Sequence, residues 1–210
     1  MGKRQDLKDK RREQFAEMIR NDPFQTDEEL ACALRVSVPT VRLDRSELSI
    51  PELRERIRAL AANAQDRVRS LGSGEIIGQI VELDLNNMGV SILETDESMV
   101  FRKTGIVRGH FIYALAETLA IAVINEETAL VGVANIKYTV PVYAGSRLIA
   151  RCELREVKVI GAKRYLVLVK IYVKKTEVFR GKFILVSFDG NGNADGEIVT
   201  AGSALMHTEE

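Results

Sequence analysis

One segment near the middle of the chain, from His110 to Ile124, is apolar on almost every side. A helix of this composition must be buried over most of its surface, because it has no polar stripe to face water. The segments around it have the β-branched residues and turn spacing of strands, at 75–83, 89–93, 131–138, 147–159, 164–174 and 177–188. We therefore predict an antiparallel sheet wrapped around one central helix.

The first part of the chain has a helical pattern instead. Apolar residues at helical spacing predict a first helix from about Lys8 to Arg20. The residues 26–29 form a capping box that begins a second short helix, and Ser37 caps a third helix that runs to about Leu48. Two short helices around a tight turn are typical of a helix-turn-helix, although a helical hairpin with a solvated charged face has the same pattern.

A helix-turn-helix reads DNA with early residues of its second short helix, which enters the major groove. Here those residues are Thr40, Arg42 and Arg45, and the two arginines are predicted to point outward, toward guanines or phosphates. A basic arm precedes them, comprising Lys10, Arg11 and Arg12. The formal net charge of the chain is +0, so affinity for DNA has to come from local placement of charge.

An amphipathic helix is predicted next, with Ser49 as its cap and Pro51 in its first turn. Its apolar stripe comprises Leu53, Ile57, Leu60, Ala64, Val68 and Leu71. This stripe needs a partner, which is either the C-terminal domain or the same helix of a second subunit in a homodimer. The predicted organisation is a helix-turn-helix at 1–48, a linker helix at 49–73, a ligand-binding domain at 74–190 and a disordered tail at 191–210.

Cysteine content and hydropathy exclude several classes of protein. Cys32 and Cys152 have apolar neighbours and no ligand-like spacing, so we expect two reduced core thiols and no metal site. The N-terminus has no apolar segment of the kind that signal peptides contain, and no apolar run is long enough to span a bilayer. We expect a cytoplasmic protein without a membrane partner.

The order of strands and central helix over residues 75–188 resembles the hot-dog fold, so the fold class expected for the whole chain is α+β. Together with the helix-turn-helix, it resembles the FapR family of repressors of fatty-acid and phospholipid biosynthesis. The resemblance is carried by TVRLDR at 40–45, IPELRERI at 50–57 and VRGH at 107–110. It implies a homodimeric, non-enzymatic repressor that binds operator DNA, needs no cofactor, and is released by malonyl-CoA bound in the hot-dog domain.

The resemblance also implies where the ligand binds. Arg108 would pair with the malonyl carboxylate, for which a planar guanidinium is a bidentate match. Gly109 would let the backbone approach the ligand, and Phe101 would line its tunnel. Judged without the family, the three residues read as a surface arginine, a turn glycine and a core phenylalanine.

Glu117 departs from the family pattern, which has asparagine at this position of the central helix. A buried carboxylate must be paired or protonated, so either Arg108 or another donor satisfies Glu117, or it serves as a general base. The alternative function is therefore a hot-dog acyl-CoA thioesterase, and a third is an acyl-CoA-binding module without regulation. His110 is expected to cap or pack rather than to catalyse.

Overall fold

The computed structural model describes residues 2–72, 74–160 and 162–187, so the predicted tail at 191–210 lies outside the described residues. The chain divides into two compact units, Met1–Asn63 and Ala64–Glu210. The helices before the sheet are α1 (Gly2–Asn21), α2 (Asp27–Leu34), α3 (Val38–Glu47) and α4 (Leu53–Gln65). The boundary between the units falls inside α4.

The capping residues predicted for the two short helices are present. The Thr26 hydroxyl accepts from the Glu29 amide at 3.1 Å, and the Glu29 carboxylate accepts from the Thr26 amide at 2.9 Å. Ser37 caps α3 by accepting from the Thr40 amide at 3.4 Å. Arg35 ends α2 in the left-handed conformation, with φ of 54°. The predicted pair of capped helices around a tight turn is therefore confirmed.

The helical unit has a small apolar core between α1, α2 and α3. It is built from Phe15, Ile19, Leu30, Ala31 and Val41. Phe15, Leu30 and Val41 are fully buried. The helix α1 starts at Gly2, earlier than the predicted start near Lys8.

The helix α4 is shorter than its apolar stripe predicts. It begins at Leu53 rather than just after Ser49, which instead has φ of 53° and donates its amide to the Ser46 carbonyl at 3.1 Å. Pro51 disfavours helical geometry in the residue before it, which explains the late start. The helix ends at Gln65, so Val68 and Leu71 lie beyond it and pack against the core of the second unit.

The second unit is a six-stranded antiparallel sheet with one long helix. Its elements are β1 (Gln79–Asp84), β2 (Met88–Glu94), a short 3-10 helix (Glu97–Met99), α5 (Gly109–Ala122), β3 (Ala129–Tyr138), β4 (Arg147–Ile160), β5 (Ala162–Val173) and β6 (Thr176–Ser187). The strand order is β1-β2-β4-β5-β6-β3, which leaves β1 and β3 at the two edges.

The helix α5 supplies the centre of the sheet unit. Leu115, Ala116 and Leu119 are almost fully buried, and the inner faces of the strands contribute Val167, Ile171 and further side chains to the same core. This arrangement is the predicted hot-dog fold, and the fold class is α+β. The observed helix and strands lie within a few residues of the predicted bounds.

The two cysteines differ in burial. Cys152 lies in the core, where burial raises the pKa of its thiol to about 12. Cys32 is exposed, so its prediction as a core thiol was wrong: position 32 lies on the outward side of α2. No helix among the described residues is both long and apolar enough to cross a membrane.

Candidate functional site

The outward face of α3 presents Arg42. Its side chain is 62% exposed, and its Nε donates to Asp27 Oδ2 at 3.3 Å. Thr40 lies two residues earlier, half-buried, with its hydroxyl 2.9 Å from that of Ser37. Leu43, beside Arg42, is also exposed. This face of α3 is therefore accessible to a large partner.

Arg45 does not lie on that face, which corrects the predicted outward orientation. Its side chain is only 11% exposed, between Asp27 at 3.5 Å and Glu52 at 3.3 Å. Residue 45 follows the buried Val41 by four positions, and residues four apart share one side of a helix. Arg45 therefore contributes to the packing of the helical unit.

Arg11 and Arg12 were predicted to belong to a basic arm, but both are bonded within the helical unit. Asp44 is 1% exposed and accepts from Arg11 Nε at 2.7 Å and from Arg12 Nε at 3.1 Å. Burial alone would raise the pKa of Asp44, but the hydrogen bonds from the two arginines outweigh it and hold the pKa below its ordinary value. Of the predicted arm, Lys10 is the member that is exposed.

Arg56 is a structural residue that the sequence did not single out. Its guanidinium is buried and donates to the carbonyls of Pro23 at 3.0 Å, Pro51 at 2.7 Å and Gln25 at 2.9 Å. It joins the start of α4 to the loop between α1 and α2. No sequence signal distinguishes it from Arg54 and Arg58, because the partners of Arg56 are backbone carbonyls, two of them distant along the chain.

The sheet unit contains a pocket at the N-terminal end of α5. It has a volume of about 320 Å³. Its walls come from the segment before α5, the first turns of α5 and the chain that follows β3, including Val107, Gly109, Ile112, Tyr138, Thr139 and Val142. The pocket is mostly apolar, and the hydroxyl groups of Tyr138 and Thr139, two of its lining residues, donate to the carbonyls of Gly109 and Glu177.

Arg108 lies between two residues that line this pocket. Its Nη2 donates to the Ser98 carbonyl at 2.6 Å, its Nε to the Met99 carbonyl at 3.4 Å, and its Cζ lies 4.9 Å from the centroid of the Phe111 ring. These contacts fix the guanidinium without neutralising it. Among the described residues, no carboxylate forms an ion pair with Arg108.

Gly109 lies in close contact with Tyr138 in the wall of the pocket. The Tyr138 hydroxyl donates to the Gly109 carbonyl at 2.9 Å, and a Cβ at position 109 would lie only 3.0 Å from that hydroxyl oxygen. Tyr138 was not among the predicted site residues. Its position at the end of β3 gives no indication in sequence that it contacts the start of α5.

Phe101 and Glu117 are not among the residues that line the pocket. Phe101 is 55% exposed in a single chain, in a turn closed by its amide and the Ile106 carbonyl. Glu117 is half-buried and accepts from the Tyr113 hydroxyl at 3.2 Å. Burial and this carboxylate raise the pKa of Tyr113, which keeps its hydroxyl proton in place.

Glu117 does not neutralise Arg108. Arg108 precedes α5 as its N-cap residue, and Glu117 lies eight positions after the first residue of the helix, a rise of about 12 Å, where its carboxylate accepts from the Tyr113 hydroxyl. His110, also on this helix, is exposed and packs its ring against Phe111 at 4.2 Å. Within the described ranges, no cluster of three or more His, Cys, Asp or Glu side chains is suited to a metal ion.

The chain is similar to characterised proteins over most of its length. No family model matches it. It is 51% identical over 173 residues to transcription factor FapR of Thermoanaerobacter sp. strain X514, which covers 82% of this chain and 85% of that protein. It is 44% identical over 177 residues to transcription factor FapR of Bacillus subtilis strain 168, covering 84% of this chain and 94% of that protein.

Two solved structures resemble the sheet unit in fold. An uncharacterized protein, PH1136 from Pyrococcus horikoshii, has 29% identity and a TM-score of 0.52, and covers 59% of this chain and 92% of its own. Cj0977, a sigma28-regulated virulence protein from Campylobacter jejuni, has 26% identity and a TM-score of 0.53, with coverage of 62% and 90%.

Proposed function

The chain belongs to the FapR family of transcription factors, and we propose that it represses genes of fatty-acid and phospholipid biosynthesis by binding operator DNA, and leaves the operator when malonyl-CoA occupies the hot-dog unit. The observation that carries the ligand assignment is Arg108. Its guanidinium is held by two backbone carbonyls and has no carboxylate partner among the described residues, and its chain neighbours Val107 and Gly109 line the pocket.

A ligand carboxylate would supply the negatively charged partner that Arg108 does not have among the described residues. Carbonyl oxygens hold two of its N–H groups, and the Phe111 ring covers one face of the guanidinium plane. The remaining donors can form charge-assisted bonds with a carboxylate, which are about twice as strong as neutral hydrogen bonds. An acyl-CoA whose acyl group ends in a methyl offers no such partner, so the site favours malonyl-CoA over acetyl-CoA.

The size of the pocket favours one end of the ligand. A volume of about 320 Å³ is at the lower end of the range of small-molecule pockets. It therefore fits the acyl thioester end of the ligand, while the nucleotide end of coenzyme A would lie outside it.

In a homodimer, a second subunit would cover the edge of the sheet at β3, which lies beside the pocket. The strand β3 is at the edge of the sheet, and no strand among the described residues pairs with its outer side. Leu130, Val133, Tyr138 and Val140 are exposed along and just after it. An apolar edge strand of this length is prone to pair with another chain, and a second copy pairing here would lie beside the pocket.

The DNA contact is proposed for the outward face of α3. Arg42 has the exposure needed to reach a base edge or a phosphate, and Thr40 lies near the start of the same helix. Lys10 would add a phosphate contact. Arg45 and Asp44 hold α3 in place instead, through Asp27 and Glu52 and through Arg11 and Arg12 respectively.

The rival function is an acyl-CoA thioesterase with Glu117 as general base. In its favour, Glu117 is a half-buried carboxylate on the central helix that receives one neutral hydrogen bond. Against it, the carboxylate of Glu117 is engaged by the Tyr113 hydroxyl, and no residue adjacent to Glu117 in the chain lines the pocket, whereas Val107 and Gly109 on either side of Arg108 do. Release of free thiol from an acyl-CoA by wild-type protein, abolished by Glu117→Gln, is the result that would favour the enzyme.

Calorimetry with a panel of acyl-CoA thioesters tests the ligand assignment. Malonyl-CoA is expected to bind more tightly than acetyl-CoA or coenzyme A, and a mobility-shift assay with the operator is expected to show a complex that malonyl-CoA dissociates. Equal affinity for malonyl-CoA and acetyl-CoA would contradict the proposed role of Arg108.

A further inference from the structure

Four basic side chains form one row across the outer face of the sheet. The row runs from Arg151 on β4 through Lys170 on β5 and Arg180 on β6 to Lys137 on β3, each directly opposite the next. All four residues are exposed. Neighbouring strands are about 4.8 Å apart, so this basic row extends over roughly 14 Å.

The row faces away from the central helix. On three of the strands, the residues next to the row point to the opposite side: Cys152, Val169 and Gly181, which are buried. The alternation of side chains along a strand therefore places the basic row on the outside.

Little negative charge offsets the row. Arg180 is bonded to Glu177 at 2.6 Å, while no ion pair to Arg151, Lys170 or Lys137 exists among the described residues. Glu153, in the adjacent row on the same face, is bonded to Arg155 at 2.8 Å. Glu82 lies in register with the row on β1, separated from Arg151 by Val90 on β2.

Like charges directly opposite each other destabilise a sheet. The adjacent row on the same face has a mixed composition, with Glu153, Leu168, Lys182 and Asn135 in register. The formal net charge of the chain is +0, so the basic row is a local concentration rather than a consequence of composition. A polyanion bound along the row would remove the repulsion.

We propose that the basic row binds the phosphate backbone of duplex DNA, as a contact surface separate from α3. Duplex DNA carries one negative charge per about 1.7 Å of its axis with both strands counted, so a length of roughly 14 Å contains about eight phosphates, about four on each strand. A single phosphate group is too small to engage all four cations. Flexible lysine and arginine side chains on an open sheet contact phosphates without reading bases, so this contact is independent of DNA sequence.

Two double variants test this inference, which extends the proposed DNA binding to the sheet unit. Arg151→Gln with Lys170→Gln removes the centre of the basic row. Lys174→Gln with Lys175→Gln removes the same charge from the exposed turn between β5 and β6, and is the matched control. Dissociation constants for a mixed-sequence, non-operator duplex are measured by fluorescence anisotropy over a range of salt concentrations, with full-length protein.

Each phosphate contact contributes about 0.9 to the slope of log affinity against log salt concentration. The row variant is expected to lose up to ~1.8 in this slope and to bind non-operator DNA at least fivefold more weakly at low salt. The slope of the control is expected to match wild type. Thermal denaturation of the control is also expected to match wild type, and the midpoint of the row variant is expected to be equal to or slightly above it, because opposed like charges are removed.

If the row variant and the control have the same slope, the inference is overturned. If, in addition, the row variant binds malonyl-CoA more weakly than wild type, the basic row contacts the ligand and not DNA. The proposed function is judged separately, by operator binding of the wild type. A protein that forms no operator complex, but whose slope on non-operator DNA falls in the row variant, would contradict the repressor and support the basic row.

Discussion

The arginines of the two units differ in their partners. In the helical unit the core is small, and buried or half-buried arginines join its helices through Asp44, Asp27 and the carbonyls around Arg56. In the sheet unit a large apolar core stabilises the fold, and Arg108 forms no ion pair with any carboxylate of the described residues. A basic residue in the helical unit therefore need not face outward, because Arg11, Arg12 and Arg45 are bonded to carboxylates of their own unit.

The largest change in the free energy of unfolding is expected from a substitution in the apolar core of the sheet unit. Phe183 is fully buried, so Phe183→Ala should lower the free energy of unfolding of this unit by about 3–5 kcal/mol. The chain contains no tryptophan and five tyrosines, all of them in the sheet unit, so tyrosine fluorescence in urea follows this unit selectively. A loss below about 1 kcal/mol would mean that packing around Phe183 is not as described.

The second effect concerns the ion-paired arginines of the helical unit. Asp44→Asn leaves Arg11 and Arg12 without their carboxylate, and should cost roughly 2–4 kcal/mol because the site is buried. Circular dichroism at 222 nm in urea follows mainly the helices, while tyrosine fluorescence should remain at the wild-type midpoint. Equal shifts of both signals would contradict the separation of the two units.

The same carboxylate makes the helical unit sensitive to acid. The pKa of Asp44 is lowered from its ordinary value of 3.8, so its stabilising contribution is complete above about pH 4 and is lost as the pH falls through the folded-state pKa. Wild type should lose stability in this range more steeply than Asp44→Asn, as measured by urea denaturation at a series of pH values. Identical pH dependence of the two proteins would exclude Asp44 as the titrating group.

The smallest changes in stability are expected from substitutions of two arginines of α3, and they distinguish the roles of these two residues. Arg45→Ala should cost roughly 1–2 kcal/mol of stability, because it removes a buried guanidinium from Asp27 and Glu52. Arg42→Ala should change stability by less than about 0.5 kcal/mol, since its side chain is exposed, yet it should weaken operator binding. A stable Arg45→Ala variant with impaired DNA binding would reverse these two roles.

Features that depend on neighbours in sequence were predicted well. The capping residues Thr26 and Ser37, the apolar helix α5 and the six strands follow from local spacing and composition. The outward orientation predicted for Arg45 was wrong, because Arg45 follows the buried Val41 by four positions and so lies on the inward side of α3.

Features that depend on pairing between distant segments were not predicted. The strand order and the contact of Tyr138 with Gly109 join parts of the chain that sequence spacing does not relate. The basic row is visible only once the register of four strands is known. The roles of Arg108 and Phe101 came from family resemblance, and they remain predictions about a ligand complex.

Release of the operator by malonyl-CoA tests the central claim most directly. A ligand can switch the protein off only if it binds the released state better than the DNA-bound state, and Arg108 should supply part of that preference. Removing its guanidinium should cost about 2–5 kcal/mol of malonyl-CoA affinity and leave the DNA face unchanged. In fluorescence anisotropy, malonyl-CoA should therefore dissociate the wild-type operator complex far more effectively than acetyl-CoA, and the Arg108→Ala complex should form normally and resist both. Equal release by the two thioesters, or normal release from Arg108→Ala, would contradict carboxylate sensing by this site.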